Sequence, residues 1–194
     1  MKEAIIAAVF LAIIGIALAV RARSQSSKGS DKSARPEENA AEAGRGLRLM
    51  MLTTPAAEAG ATPTKDFPRV YGILMDWPIG DVTATVLSTS TGAASLYTTS
   101  TFGIIGGEGH ETVRNAAQKF IRAADRHFGA AKPTTEFPYP SADRVFFYLL
   151  TFEGVRVIET DMASITSRSG KYSELFGLGQ AVLTELRLIS EKRQ

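Results

Sequence analysis

The segment richest in reactive side chains runs from Phe102 to Glu111 (Phe-Gly-Ile-Ile-Gly-Gly-Glu-Gly-His-Glu). It links a stretch of strand character to one of helical character. Gly106, Gly107, Glu108, Gly109, His110 and Glu111 form its candidate ligand-binding set. A glycine-rich turn opening onto a helix presents unpaired backbone N–H groups, which can cradle an anion. The acidic residues oppose that use: Glu108 and Glu111 would repel a phosphate at the same place, and neither G-x-G-x-x-G nor G-x-x-x-x-G-K-[ST] is present. Metal binding is the second chemistry open to these residues. Glu108, His110 and Glu111 offer oxygen and nitrogen donors, but a catalytic zinc needs about three protein ligands in tetrahedral array. His127, Asp76, Asp81 or Asp161 would have to be recruited by the fold. The turn also has a structural account. Glycines reach positive φ without steric cost, and Glu108 and Glu111 favour the positive end of the next helix by ~0.3–1 kcal/mol each.

Other chemistries have less to work with. There is no cysteine, which removes disulfides, a thiol nucleophile, thiolate metal sites and a lipoprotein anchor together. No G-x-S-x-G elbow occurs, and two histidines leave little room for a triad. The hydroxyl residues between Thr83 and Thr101 fall on alternating strand positions. Trp77 beside Asp76 reads as a ligand rim or a core aromatic, Tyr97, Phe147 and Tyr148 as sheet core or cross-strand pairs, and Glu153 as a solvated hairpin tip. No catalytic residue, cofactor or metal site is assigned.

The elements that would position these residues follow from periodicity. Val70–Met75 is a short continuous apolar run, as in a strand buried on both faces, with Trp77-Pro78-Ile79-Gly80 as its turn. Val82–Leu87 alternates apolar and hydroxyl residues, and Ala94–Phe102 reads as a third strand. From Glu111 to Phe128 the apolar residues fall on one helical stripe (Val113, Ala116, Ala117, Phe120, Ile121, Ala124, Phe128). Val145–Phe152 and Val155–Met162 flank Glu153-Gly154, a hairpin signal. A last helix covers Tyr172–Glu191. Gly177 and Gly179 inside it cost roughly 1 kcal/mol each against Ala, a cost that close approach to the sheet would offset. The order βββαββα predicts an α+β domain with a five-stranded antiparallel sheet and both helices on one face.

Ahead of this domain the chain carries the apolar run Ala4–Val20, closed by Arg21 and Arg23. It stands at the short end of the roughly 17–25 residues a transmembrane helix needs. Ala17-Leu18-Ala19 also fits a signal-peptide cleavage site, which would make residues 1–19 a cleaved leader and the domain periplasmic or secreted. The arginines straight after the run favour a retained signal-anchor. The Lys/Arg bias of the flanks (Lys2 against Arg21, Arg23, Lys28, Lys32 and Arg35) then places the C-terminal domain in the cytoplasm. The expected organisation is an anchor over residues 1–23, a disordered linker over 24–46 and a soluble domain over 47–194. Leu47–Leu52 is expected to pack as a helical turn or edge strand, and Pro55–Phe67 to form a surface connection. The first 45 residues hold seven Lys/Arg and five Asp/Glu, leaving fifteen of each in the remainder. A charge-balanced domain argues against a nucleic-acid footprint.

The runs Ser95-Leu96-Tyr97, Gly103-Ile104-Ile105-Gly106-Gly107, His110 with Val113-Arg114 and Ala116-Ala117, and Tyr148-Leu149-Leu150-Thr151-Phe152-Glu153-Gly154-Val155 resemble those of bacterial domains described only as uncharacterised. That resemblance spans about Leu47 to Ile189 and implies a shared fold without an activity. In element order alone the domain resembles the profilin-like group that includes roadblock and longin domains, which mostly serve as dimerisation and docking platforms. The sequence therefore points to a membrane-tethered protein-binding or scaffolding domain. Its partners would be the lipid bilayer through residues 4–20 and a protein or a second copy, through a sheet face or edge that needs a cover. The alternative is a small-ligand sensor or enzyme built on residues 103–111, in which Gly107, Glu108 and His110 converge with Asp76 or Asp161.

Overall fold

The computed structural model describes residues 36–100, 103–167 and 169–191. Its elements are α1 (Pro36–Thr53), β1 (Val70–Ile79), β2 (Val82–Thr89), β3 (Ala94–Thr98), β4 (Ile104–Ile105), α2 (Glu111–Arg126), β5 (Lys132–Pro133), β6 (Arg144–Thr151), β7 (Gly154–Asp161), α3 (Met162–Thr166) and α4 (Ser173–Glu191). A 3₁₀ turn, Phe128–Ala130, joins α2 to β5. All pairings are antiparallel, in the order β4-β3-β2-β1-β6-β7-β5.

The expected architecture is corrected in three respects. Among the described residues the sheet has seven strands rather than five. Both additions, β4 and β5, are two-residue edge strands, too short for alternation to register. Besides the short α3, a further helix, α1, lies on the face that two helices on one side would leave open. It begins at Pro36, inside the stretch expected to be linker. Finally, among the described residues no helix is long and apolar enough to cross a membrane. The segment expected to do so, residues 4–20, lies outside the described residues. The transmembrane helix, the signal-anchor and the single-pass placement with a cytoplasmic domain are therefore withdrawn, as is the exported alternative that rested on the same segment.

The sheet separates two apolar clusters. On one face α2 and α4 pack over Ile73, Met75, Trp77, Val86, Phe147 and Leu149. On the other, Leu52 of α1 packs with Tyr71, Leu74, Leu87, Tyr97, Tyr148 and Leu150, with Ala56, Ala59 and Phe137 at the margin. The central strand β1 is buried from Val70 through Trp77, which is why its sequence is a continuous run rather than an alternation. Its pairing with β6 shifts between Val70 and Gly72. This bulge puts Tyr71 and Gly72 on the α1 face in succession, and alternation resumes beyond them.

The helices approach the opposite face closely. A Cβ at Gly179 would stand 2.5 Å from Met75 Cε, whereas one at Gly177 would meet nothing within 4 Å. Of the two glycines in α4, only Gly179 is there for the sheet. Gly179→Val is expected to destabilise the domain by ~1–3 kcal/mol through overpacking, read as a lowered urea midpoint. Gly177→Ala is expected to raise that midpoint, since Ala is the better helix former by up to ~1 kcal/mol.

Candidate functional site

Two apolar stretches each carry one charge, Leu47-Arg48-Leu49 in α1 and Met75-Asp76-Trp77 in β1. The fold brings these charges together. Along α1, Ala41, Gly44, Arg48 and Leu52 are buried, the three-to-four spacing of a helix stripe turned to the sheet. On β1, Ile73, Met75 and Trp77 belong to the α2/α4 face, so alternation turns Asp76 toward α1. Arg48 is 3% exposed and Asp76 0%.

The guanidinium is almost fully used. Nε and Nη2 donate to Asp76 Oδ2 at 2.9 and 2.5 Å. Nη1 donates to the Phe137 carbonyl at 3.0 Å, and Nη2 also to that of Pro138 at 3.2 Å. Thr85 Oγ1 donates to Asp76 Oδ1 at 2.5 Å. The guanidinium carbon sits 4.1 Å from the Tyr139 ring centroid and 5.2 Å from that of Tyr148, and Tyr148 donates its hydroxyl to the Pro138 carbonyl at 2.7 Å. One side chain thus joins α1, β1 and the 137–139 loop, and Asp76 extends the join to β2.

Burial opposes both charges. At Arg48 the Asp76 carboxylate outweighs it, and the guanidinium is held above its ordinary value. At Asp76, which is wholly enclosed, burial outweighs the pull of Arg48 and Thr85, and the carboxyl is pushed up. Burial likewise pushes the Tyr148 phenol up to about 12, with Arg48 pulling it back. A buried, fully bonded pair of this kind fixes geometry, and its loss on one side leaves an uncompensated charge.

The glycine-rich turn is engaged differently. Gly106 has φ +74°. Gly107 is buried where a Cβ would stand 2.5 Å from Val113 Cγ1 and 3.2 Å from Leu186 Cδ2. Its glycine thus serves the junction of α2 and α4. Arg114 reaches back to the Glu108 carbonyl, and the backbone N–H of His110 bonds the Gly107 carbonyl at 2.8 Å. His110 is the N-cap residue of α2 and His127 its C-cap residue. They stand roughly 1.5 Å per residue apart along a 16-residue helix, too far to share a ligand.

Gly106 to Glu111 therefore lie together, but the fold does not bring Asp76 or Asp161 to them. Asp76 faces the other side of the sheet. Asp161 ends β7, toward the opposite edge, where it accepts from the Ser164 N–H at 2.7 Å and hydroxyl at 2.8 Å. Those bonds hold its carboxyl below the ordinary range. Among the described residues no group of three or more His, Asp or Glu could hold a metal ion. Trp77 is a core aromatic, its ring edge-on to Phe176 at 6.3 Å. A groove of ≈ 460 Å³ lies at the β6–β7 hairpin, bordered by Pro133, Thr134, Glu136, Glu153 and Val155, and contains none of the candidate ligand-binding residues Gly106 to Glu111.

No family model, curated protein or solved structure matches the chain.

Arg48→Met is expected to cost ~3–5 kcal/mol, because it strands a buried carboxylate, and adding Asp76→Leu should recover part of that loss. Urea denaturation of the single and double variants measures both. A second expectation follows from Tyr148. Its folded pKa of about 12 exceeds the unfolded value of about 10, so the phenol's contribution is present below pH ~10 and disappears as pH rises through ~12. Alkaline titration followed by tyrosine absorbance and circular dichroism should show late ionisation coinciding with loss of structure. Tyr148→Phe should lessen the alkaline sensitivity.

Proposed function

We propose that this domain is a docking or scaffolding module that binds another protein, or a second copy of itself, along the sheet edge formed by β4. The sheet face opposite α2 and α4 is filled by the chain's own α1, which moves the binding surface from a face to an edge. The observation that carries the reading is Ile105, 42% exposed on the outermost strand. β4 pairs with β3 only at Ile104 and Ile105, so this edge is short and carries an apolar side chain in water. α4 runs to the same edge, with Leu186 against Gly107. Two residues further on, Leu188 is 44% exposed. Addition of a partner strand to such an edge supplies main-chain hydrogen bonds, and side-chain contacts of the Ile105 kind supply selectivity. A second copy would meet the same edge across a two-fold axis.

Affinity capture of the full chain, crosslinked in its native cells, tests this. A protein recovered in near-stoichiometric amount, or a dimer of the bait, is expected with the native sequence. It should be lost with Ile105→Lys and kept with Leu49→Lys, a comparably exposed site on α1. Recovery of bait alone, or a partner indifferent to Ile105→Lys, would refute the reading.

A further inference from the structure

The opposite end of the sheet carries a concentration of cations that the domain's overall charge balance hides. Arg69 and Arg156 both lie over the Phe128 ring, their guanidinium carbons 5.0 and 4.6 Å from its centroid. Arg122 lies over Phe67 at 5.2 Å. Edge strand β5 borders this group through Pro133, which pairs with Arg156, whereas Lys132 pairs with Val157 on the α1 face. Arg126 stands one turn beyond Arg122 on α2. Asp125 is bound by Arg69 at 2.5 Å and Glu174 by Arg126 at 2.7 Å, and Glu136 and Glu153 stand beside Pro133 at the neighbouring β6–β7 hairpin. Arg122, Arg156 and Lys132 are in no ion pair among the described residues.

Part of this arrangement serves the fold. Arg126 in the last turn of α2 complements the negative end of the helix. Arg69 also donates to the Asp125 carbonyl at 2.9 Å, and Arg156 Nε to the Ala131 carbonyl at 3.0 Å. Those roles leave Arg122 and Arg156 without an ion pair among the described residues. The local excess of positive charge is also felt by His127, whose pKa is lowered by burial first and by Arg126 next.

We propose that this surface, formed by Arg69, Arg122 and Arg156, docks an acidic protein segment rich in Asp and Glu. It lies at the sheet edge remote from β4 and stands whether or not β4 captures a partner. Three features favour carboxylates. A guanidinium is a planar fork that takes a carboxylate through two parallel hydrogen bonds. Stacking on Phe67 and Phe128 pre-orients Arg122, Arg69 and Arg156, which lowers the ordering cost of binding. Asp125 and Glu174 interrupt the cations, a pattern that opposes a continuous phosphate backbone but leaves positions for separate carboxylates. Nucleic acid is disfavoured further because base stacking needs open aromatic faces. Here Phe128 is already covered by two guanidiniums and Phe67 is buried.

The test is fluorescence anisotropy of the full chain with a labelled peptide of alternating Glu and Gly at low salt. Binding is expected, weakening as salt rises. Arg122→Gln should weaken it several-fold, and Arg122→Gln with Arg156→Gln about tenfold or more. Arg187→Gln, a charge-matched change far along α4, should leave it unaltered. Thermal melts of the variants confirm the fold, since Arg122 and Arg187 are exposed. Absence of binding by the native chain would overturn the proposal. So would equal loss with Arg187→Gln, or preference for duplex DNA or for anionic vesicles presented in place of the peptide.

Discussion

The contact between Arg48 and Asp76 decides what the rest of the molecule can be. A carboxylate enclosed in the central strand would be untenable alone, because the effective cost of burying an ion is several kcal/mol. Its partner has to come from outside the sheet, and it comes from α1. Once the guanidinium is seated, its remaining donors fix the carbonyls of Phe137 and Pro138. The long connection before β6 is thereby held over the sheet, and Tyr139 and Tyr148 close over the charge. The second apolar cluster is assembled around this polar centre. Hydrophobic burial favours covering that face but does not choose how. The ion pair sets the register of the helix on the sheet.

Much of the sheet and of the α2/α4 layer could be read in the sequence, because their residues obey one period each. The amphipathic stripe from Val113 to Ala124 and the Glu153-Gly154 turn are local signals, and the observed α2 and β6–β7 hairpin fall within a residue or two of them. What was not legible is non-local. Helix α1 has a small-residue stripe (Ala41, Gly44) interrupted by an arginine, which composition alone reads as linker. The signal that could have found it was a lone cation in one apolar stretch and a lone anion in another. Edge strands β4 and β5 exist because neighbouring strands offer them a ladder, and two residues contain no period. The glycine-rich turn has the composition of a ligand site, but part of its explanation lies in Leu186, which comes from a helix much later in the chain.

The two edges of the sheet differ in character. At β4 an isoleucine faces water beside a two-residue strand. At β5 a proline stands in the edge itself, with lysine before it and arginine opposite, features that discourage strand addition. The first edge suits main-chain pairing and the second suits side-chain electrostatics. A single domain with such edges could join two unlike partners without using its faces, both of which are occupied by its own helices.

The wiring of the clamp also has a consequence for the order in which the molecule can be built. Arg48 and Phe137 are separated by 89 residues, and the sheet is closed through β1 and β6, its most distant neighbouring pair in sequence. The β1–β2–β3 meander and the β6–β7 hairpin are local units that can form early, whereas joining them requires a long loop to close. Of the described elements helix α1 emerges first during synthesis, yet its seat is incomplete until the 137–139 loop exists. Through most of translation its apolar stripe has no finished surface to meet, and neither does the α1 face of β1. The nascent chain is therefore most prone to misassociation before β6 has emerged. Docking of the earliest-made of the described elements is then among the last events of folding.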